Sequence, residues 1–508
     1  MSTSWLLNPV RRTMLISRLR PALLACVLLA AGCTAALNTD SRAASRTVMP
    51  TDATTVVPGT TGAELALQTS RSLFSHAPAV VLVGEQDEAS MAQAGSAAVK
   101  LGVPVLLTAA KDVAAAALRE ELDRLAPRTL IPVGEAAARW AQDHPAEGRA
   151  VKPFVEEGLP RLAAVAALDK LLVLTLGRPE AAAATATAKA SGAQVLVLAH
   201  PDPRADDEAI KALAARPGTH VMALGSAFGS ADRLRNRIDT AETGTLLPGG
   251  RQVLFPHRRL IALYGHPGDS GLGSLGEQGV DAAVARARKV AAQYGSLTDD
   301  QVVPAFEIIT TVASSDPGPD GDYSNESTVE HLKPWVDAAR AAGIYVLLDL
   351  QPGRTDFLTQ AKRYTELLKQ PHVGLALDPE WRLAPHQQHM VQIGSVGANE
   401  INKTAAWLAE LTRADRLPQK ILMLHQFRTD MITGRSGIDT DVDELSVVIH
   451  ADGFGVASEK MATWDAVRAG APANIWWGWK NFYDEDKPTF TPKQTFAVEP
   501  SPVFVSYQ

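Results

Sequence analysis

Two carboxyl residues follow an apolar run in the stretch "VGLALDPEW", where they could act together. If the run is a strand, residues two apart point to the same side, which places Asp378 beside Glu380. Pro379 between them cannot donate a ladder hydrogen bond, so it suits the end of a strand. Two close carboxylates repel each other, and the pKa of one of them rises. A carboxyl group that stays protonated near neutral pH can protonate a leaving oxygen, so the pair predicts a general acid.

Other polar residues of the C-terminal half also come directly after apolar runs. Those with chemistry to offer are Tyr264, Glu307, Asp349, His425 and Asp452. Protonating a leaving glycosidic oxygen is the general-acid role in glycoside hydrolysis, which also needs a second carboxylate, and we expect Asp349 or Glu307 to be that carboxylate. Tyr264, His425 and Asp452 are expected to hold the substrate.

Tryptophans give a further signal in the stretch "NIWWGWKNF". Trp477 and Trp479 are two residues apart, so in a strand they share one face. Exposed indole rings can stack on sugar rings, whereas buried ones fill a core. We predict that Trp477 and Trp479 bind the substrate, with core packing as the alternative.

These residues need a scaffold that brings strand ends together. After residue 258 the sequence alternates apolar, strand-like runs with helical stretches, with seven such runs and an eighth at "SPVFVSYQ". This alternation over 259–508 predicts a (β/α)8 TIM-like barrel, with a doubly wound sheet as the runner-up. In a barrel the carboxyl ends of all strands converge on one mouth, so the candidate residues would meet there.

The N-terminal half shows a shorter alternation of strand and helix patterns. Runs such as "AVVLVG", "VPVLLT" and "TLIPVG" are separated by helical stretches, and the same order recurs further along. The repetition predicts two tandem doubly wound α/β units over 65–240, followed by a linker over 241–258. Within 65–240 neither GxGxxG nor GxxxxGK followed by Ser or Thr occurs, so no nucleotide cofactor is predicted for these units.

Both halves resemble known families. The stretches "GSAAVKLGVPVLLT" and "LIPVGEAA" are similar to the cell-wall-binding repeat type 2 of Gram-positive surface proteins, whose tandem α/β repeats bind anionic wall polymers. The D-x-E ending of the fourth barrel strand resembles (β/α)8 glycoside hydrolases, including family 18 chitinases and family 25 lysozymes. That resemblance implies that Glu380 is the general acid and that Asp378 assists it or orients the substrate.

The N-terminus carries a predicted export signal. Arginines precede a short apolar stretch from Ala22 to Ala31, which is too short to span a bilayer and fits a signal-peptide core. The stretch ends in "AAGC", which resembles the bacterial lipobox and implies lipidation of Cys33. We therefore expect a signal peptide over 1–32, a tether over 33–64, and a lipid anchor on the outer face of the cytoplasmic membrane.

Charge and motif content limit the partners of the chain. The net charge of -7 and the lack of basic runs beyond the N-terminus argue against nucleic acid. We expect a cell-envelope lipoprotein that hydrolyses an envelope polysaccharide by carboxylate acid/base catalysis, with no cofactor. One alternative is a non-catalytic protein that binds or scaffolds cell-wall polysaccharide. The second alternative is a metal-dependent hydrolase built from His450, Asp452, His425, Asp349 and Glu307.

Overall fold

The computed structural model describes residues 43–108, 112–145 and 147–508. The predicted signal peptide, Cys33 and the first part of the predicted tether lie outside the described residues. In the part of the chain that is described, no helix is both long and apolar enough to cross a membrane.

The C-terminal half forms a closed barrel of eight parallel strands. In chain order these are β1 (Arg258–Gly265), β2 (Gln301–Ala313), β3 (Tyr345–Leu350), β4 (Val373–Leu377), β5 (Lys420–Gln426), β6 (Leu445–Ala451), β7 (Trp476–Asn481) and β8 (Phe504–Tyr507). Strand β1 pairs in parallel with both β2 and β8, which closes the ring. A short antiparallel strand, Ser324–Glu326, pairs with the end of β2. The TIM-like barrel predicted from the sequence is therefore confirmed.

Helices cover the outside of the barrel. They are α1 (Val280–Ala292), α2 (Val329–Ala342), α3 (Phe357–Arg363), α4 (Thr365–Leu368), α5 (Ala398–Ala414), α6 (Ala457–Arg468) and α7 (Pro492–Phe496). Their apolar faces pack on the outward side chains of the strands, in a cluster that includes Leu263, Leu348 and Leu408. The connection from β5 to β6 instead consists of two short 3₁₀ turns and the strand Ile432–Thr433, which pairs with Val396–Gly397.

The other face of each strand points into the barrel, because side chains alternate along a strand. Apolar residues such as Ala305 and Met423 fill this interior. Leu254 and Phe255 belong to the same interior cluster. Residues of the segment 241–258, which the sequence predicts as a linker, therefore pack into the barrel at the end where its strands begin.

Two parallel four-stranded sheets form the N-terminal half. In spatial order the first contains Val105–Thr108, Ala79–Gly84, Thr129–Val133 and Ala150–Val151, and the second contains Gln194–Val197, Leu171–Thr175, His220–Leu224 and Thr54–Val57. Their helices are Gly62–Leu73, Glu88–Leu101, Asp112–Leu125 and Glu135–Asp143, and Ala182–Ala190, Asp207–Ala214 and Ala231–Ala241. A small antiparallel pair joins Arg46–Thr47 to Phe74–His76. The three strands that follow one another in each unit have the same spatial order, so the repetition in the sequence corresponds to two related α/β units.

Candidate active site

Each strand of the barrel contributes one polar side chain above the apolar interior, from the strand itself or, after β4, from the next residue, and we call these residues the mouth layer. They are Tyr264, Glu307, Asp349, Asp378, His425, His450, Lys480 and Ser506, and all of them are buried. The period of two explains their direction, since Ala262 and Ala305, two residues before the first two of them, belong to the interior cluster. The mouth layer therefore lies at the carboxyl ends of the strands, where barrel enzymes carry their chemistry.

His425 is the central member of the mouth layer and contacts three carboxylates. Its Nδ1 is 3.0 Å from Asp452 Oδ2, and its Nε2 is 3.0 Å from Glu307 Oε1. The same Nε2 lies 3.7 Å from Asp349 Oδ1. Burial by itself lowers the pKa of His425, but the charges of Asp349 and Glu307 and two hydrogen bonds raise it well above its ordinary value. With these neighbours alone, the ring carries a proton on each nitrogen.

Asp349 of β3 is held by a side chain of β1, which lies on the far side of β2. Tyr264 donates its hydroxyl hydrogen to Asp349 Oδ2 at 3.0 Å, and Gln351 Nε2 donates to the Tyr264 hydroxyl at 3.4 Å. Lys480 Nζ lies 3.5 Å from the centre of the Tyr264 ring, close enough for a cation–π contact. Burial raises the pKa of Asp349 to about 6, although nearby His425 opposes the shift. Burial also raises the pKa of Tyr264, so its hydroxyl remains a donor.

His450 lies beside Glu307 without a hydrogen bond to it. Its Nδ1 is 3.8 Å from Glu307 Oε1, whereas its Nε2 is 3.2 Å from Ser506 Oγ. Burial lowers the pKa of His450 to about 4. The ring is therefore neutral at pH 7, and one of its nitrogens carries a lone pair.

Four polar atoms in or beside the mouth layer are buried and have no hydrogen-bond partner among the described residues. They are Glu307 Oε2, Asp349 Oδ1, His450 Nδ1 and Asp452 Oδ1. Buried polar groups in native proteins almost always have partners, so four exceptions in one layer make that layer a candidate functional position. These atoms are available to a bound molecule or ion.

Asp378 and Glu380 lie where β4 ends, at a 3₁₀ turn over Pro379–Trp381. The extended chain assumed from the sequence is corrected here, because Pro379 starts the turn and Asp378 accepts a hydrogen bond from the Glu380 N–H at 3.2 Å. Asp378 is buried, whereas Glu380 is partly exposed. Burial raises the pKa of Glu380 to about 7, and the charge of Asp452 adds to the shift. Burial also raises the pKa of Asp378 well above its usual range.

Glu380 opens onto a cleft of about 730 Å³. The cleft is lined by Glu380, Trp381, residues 390–395, Arg428 and Asp430. The Trp381 ring stacks on His389 with the ring centres 4.8 Å apart. Met390 and Val391 are 77% and 72% exposed, which gives the cleft an apolar rim. Its size and mixed lining suit a small polar ligand that also has apolar faces.

Trp477 and Trp479 lie apart from the mouth layer, on the helix-facing side of β7. Trp479 is 1% exposed and stacks on Phe490 with the ring centres 5.3 Å apart. Trp477 packs against Trp464 of α6 at 5.7 Å. The alternation along β7 turns Lys480 inward and these two rings outward. The substrate-binding role predicted for Trp477 and Trp479 is therefore corrected to core packing.

The sequence interpretation missed three members of the mouth layer as site residues. They are His450, which entered only as a possible metal ligand, Lys480 and Ser506. The period of two could have found them, because His450 stands two residues before Asp452. Lys480 and Ser506 are register partners on adjacent strands, so they reach the same height in the barrel.

Two groups of residues in the described chain could hold a metal ion. The first consists of Glu307, His425 and His450, all buried, with ligand atoms that lie within 4.8 Å of one another. The second consists of Asp320 and Asp322 on the loop after β2 and Glu326 on the short strand that follows, and Asp320 is exposed. The first group belongs to the mouth layer, and the second lies outside it.

The mouth as a whole combines a partly exposed carboxyl group of raised pKa with buried carboxylates around a central histidine. A protonated acid next to an ionised carboxylate is the pairing that general acid/base hydrolysis uses. No protein-family model matches the chain, and no curated protein matches it. The functional conclusion therefore rests on the geometry of the mouth.

Proposed function

We propose that the barrel hydrolyses glycosidic bonds of a cell-envelope polysaccharide, with Glu380 as the general acid. The observation that carries this proposal is the environment of the Glu380 side chain. It is partly exposed on the wall of the cleft, and burial raises its pKa to about 7. A carboxyl group with that pKa is protonated in a large fraction of molecules at neutral pH, and it can give its proton to a leaving oxygen.

Asp349 is the second carboxylate in this proposal. Glu307, the other candidate from the sequence, also has one oxygen without a hydrogen-bond partner among the described residues, but its other oxygen lies between two histidines, 3.0 Å from His425 and 3.8 Å from His450. Asp349 has one oxygen fixed by the Tyr264 hydroxyl and the other without a partner among the described residues. A carboxylate with a free oxygen can attack the anomeric carbon or activate a water molecule, which are the two modes of glycoside hydrolysis.

Asp378 and Lys480 support these two carboxyl groups. Asp378 accepts the backbone N–H of Glu380 and so fixes the turn that carries the acid. Lys480 lies over the Tyr264 ring in the same layer, where its ammonium group can donate to a sugar hydroxyl. His425 and Asp452 remain substrate-side candidates, since Asp452 Oδ1 has no partner among the described residues.

The cellular setting of the proposal comes from the chain before the barrel. The lipobox-like "AAGC" would attach the protein to the membrane through Cys33. The two α/β units would hold wall polymer, as their resemblance to cell-wall-binding repeats implies. The stacked Trp381 and His389 rings beside Glu380 suit a saccharide, because aromatic faces pack against sugars. The expected partner is therefore an envelope polysaccharide at the outer face of the cytoplasmic membrane.

The experiment is an assay for sugar released from purified cell-wall fractions by the wild-type protein and by Glu380→Gln. Loss of the general acid should lower the rate by about 10²- to 10⁴-fold. The wild-type rate should also fall above pH 7, because Glu380 must be protonated to act and its pKa is about 7. Glu366→Gln is the matched control, since Glu366 is exposed on α4 outside the barrel.

Full hydrolytic activity in Glu380→Gln would contradict the proposal. Binding of the wall fraction without any release of sugar by the wild type would favour the alternative of a non-catalytic binding protein.

A further inference from the structure

Glu307 and His450 are buried side by side in the mouth, and the proposed hydrolysis gives neither of them a role. We infer that Glu307, His425 and His450 form a binding site for one divalent transition-metal ion, of the zinc type. This inference goes beyond the proposed function and does not depend on it. It rests on the spacing of the three side chains, on their outer hydrogen bonds and on their unpartnered atoms.

The spacing of the three side chains fits a metal site. Ligands bonded to zinc at about 2.0–2.1 Å in a tetrahedron lie about 3.4 Å from one another. Glu307 Oε1 is 3.0 Å from His425 Nε2 and 3.8 Å from His450 Nδ1. These two distances bracket the expected separation, and the third, between the two histidine nitrogens, is within 4.8 Å, so side-chain adjustments would be needed to place all three around one ion.

The outer nitrogens of both histidines are held in the way that metal-bound histidines require. A ligating histidine usually has its second nitrogen fixed by a carboxylate or another hydrogen-bonding group. His425 Nδ1 is held by Asp452 at 3.0 Å, and His450 Nε2 is held by Ser506 at 3.2 Å. These contacts leave His425 Nε2 and His450 Nδ1 turned toward the same carboxylate, that of Glu307.

The unpartnered atoms of the site distinguish a metal ion from a bridging proton. A proton between His425 Nε2 and Glu307 Oε1 would satisfy that pair alone. His450 Nδ1 and Glu307 Oε2 are both buried and would still lack a partner among the described residues. A metal ion could take the lone pair of His450 and the carboxylate of Glu307 together with His425.

The ligand types select the kind of metal. Two imidazole nitrogens and one carboxylate suit zinc and its transition-metal neighbours, whereas calcium and magnesium prefer sites made of oxygen. Three protein ligands also leave a coordination position open, as in catalytic zinc sites. Such an ion would supply a Lewis acid at the carboxyl ends of β2, β5 and β6.

The second acidic group is a competitor that the test must separate. Asp320, Asp322 and Glu326 offer only oxygen ligands. The Asp322 carboxylate already accepts the Thr355 hydroxyl hydrogen at 2.8 Å, and Glu326 pairs with Arg363 at 3.1 Å. We do not assign this group a metal, and its variant serves as a control.

The experiment uses the full chain, stripped of metal by a chelator and then titrated with Zn²⁺ in a calorimeter. We expect one ion per chain, with metal content confirmed by elemental analysis. His450→Gln should weaken binding by at least about 100-fold, because it removes a ligand, and Ser506→Ala should weaken it about tenfold through the orientation of that ligand. Two controls should leave the affinity unchanged, namely Asp320→Asn and His372→Gln, the latter at a buried histidine bonded to the Val336 carbonyl.

The inference is overturned if the folded wild type takes up no stoichiometric Zn²⁺, or if binding survives unchanged in both His450→Gln and Ser506→Ala. Near-UV circular dichroism checks folding, and if His450→Gln does not fold, Ser506→Ala decides. Glu380→Gln should bind Zn²⁺ like the wild type. Failure of the metal site and failure of the proposed hydrolysis are therefore distinguishable, since the titration contains no saccharide.

Discussion

The two ends of the barrel both bury charge, but they satisfy it differently. At the mouth, buried Glu307 and Asp349 each leave one carboxylate oxygen without a partner among the described residues. At the opposite end, Arg258 begins β1 and Lys420 begins β5, and these side chains are 4% and 0% exposed. Several acids and one cation, Lys480, are thus buried where the strands end, whereas the buried charges of Arg258 and Lys420 lie where two of the strands begin.

The cations at the strand starts are bonded to backbone carbonyls. Arg258 Nη1 donates to the carbonyls of Val253 and Leu254 at 2.7 and 3.0 Å, and Nη2 donates to that of Gly250. Lys420 Nζ donates to two carbonyls at 2.9 and 2.8 Å. Only Nε of the Arg258 guanidinium lacks a partner among the described residues.

This difference separates a structural use of charge from a chemical one. A buried cation that donates its hydrogen bonds to backbone carbonyls holds two segments together. Removing it leaves several carbonyls without a donor at once. A buried carboxylate with an open oxygen contributes little to cohesion and is available to a substrate or an ion. Removing charge at the two ends should therefore change stability in opposite directions.

The end where the strands begin is called the base of the barrel here. The largest expected effect on stability is at this end, in Arg258→Met. The variant keeps much of the apolar stem but leaves the three carbonyls at 250, 253 and 254 without their donor. We expect a loss of about 3 kcal/mol in the free energy of unfolding, since each orphaned buried group costs about 1–3 kcal/mol. Urea denaturation followed by circular dichroism measures it. Arg288→Met, an exposed arginine that donates to the Ala342 carbonyl, should change stability by less than about 0.5 kcal/mol.

An unchanged unfolding midpoint in Arg258→Met would contradict the structural role of the buried cations at the base. In that case the carbonyls at the base would have to be satisfied without the guanidinium.

A smaller effect of opposite sign is expected at the mouth, in Asp378→Asn. The pKa of Asp378 is raised by burial above its unfolded value, so its contribution to stability is greatest below that unfolded value and is lost as the pH rises. Asparagine keeps an oxygen to accept the Glu380 N–H and does not ionise. We therefore expect a gain of about 1–2 kcal/mol at pH 7, which shrinks toward pH 4. Thermal denaturation at both pH values measures it.

Exposed Asp465 of α6 provides the control, because Asp465→Asn should leave the melting temperature unchanged at both pH values. A loss of stability in Asp378→Asn at pH 7 would contradict the comparison. It would mean that the carboxylates of the mouth stabilise the fold, as the cations at the base do. Any gain should be accompanied by lower hydrolytic activity, the usual exchange at an active site.

The positions of the polar residues at the mouth can be predicted from the sequence better than those of the buried cations at the base. Glu307, Asp349 and His425 could be placed because parallel strands in a barrel bring their carboxyl ends to one edge. The period of two says that Trp477 and Trp479 share a face, but not which face turns inward, and that choice depends on the closed barrel.

The remaining features depend on contacts that are distant along the chain. Arg258 and Lys420 stand at strand starts, where the sequence gives no sign that carbonyls from preceding or distant loops will cover them. The turn at Pro379 was equally hidden, because an X-Pro step is compatible with an extended strand end as well as with a 3₁₀ turn. The orphaned Glu307 and His450 atoms exist only once three strands are side by side.

The smallest effect is expected for Lys420→Met at the base. Removing a buried charge is favourable, but two hydrogen bonds worth about 1 kcal/mol each are lost, so the change at pH 7 should stay within about 1 kcal/mol. Its pH dependence is the sharper test. Burial lowers the pKa of Lys420 to about 7, so between pH 7 and 10 the unfolded chain holds a proton that the folded chain has released.

Stability of the wild type should therefore rise relative to Lys420→Met as the pH increases over that range, because the unfolded state binds more protons. Urea denaturation at pH 7, 8.5 and 10 measures the difference, with the exposed Lys403→Met as a control that should track the wild type. A constant difference between wild type and Lys420→Met would mean that the lysine stays charged in the folded barrel. The two carbonyls would then stabilise a full cation at the base, and the contrast with the open oxygens of the mouth would become stronger.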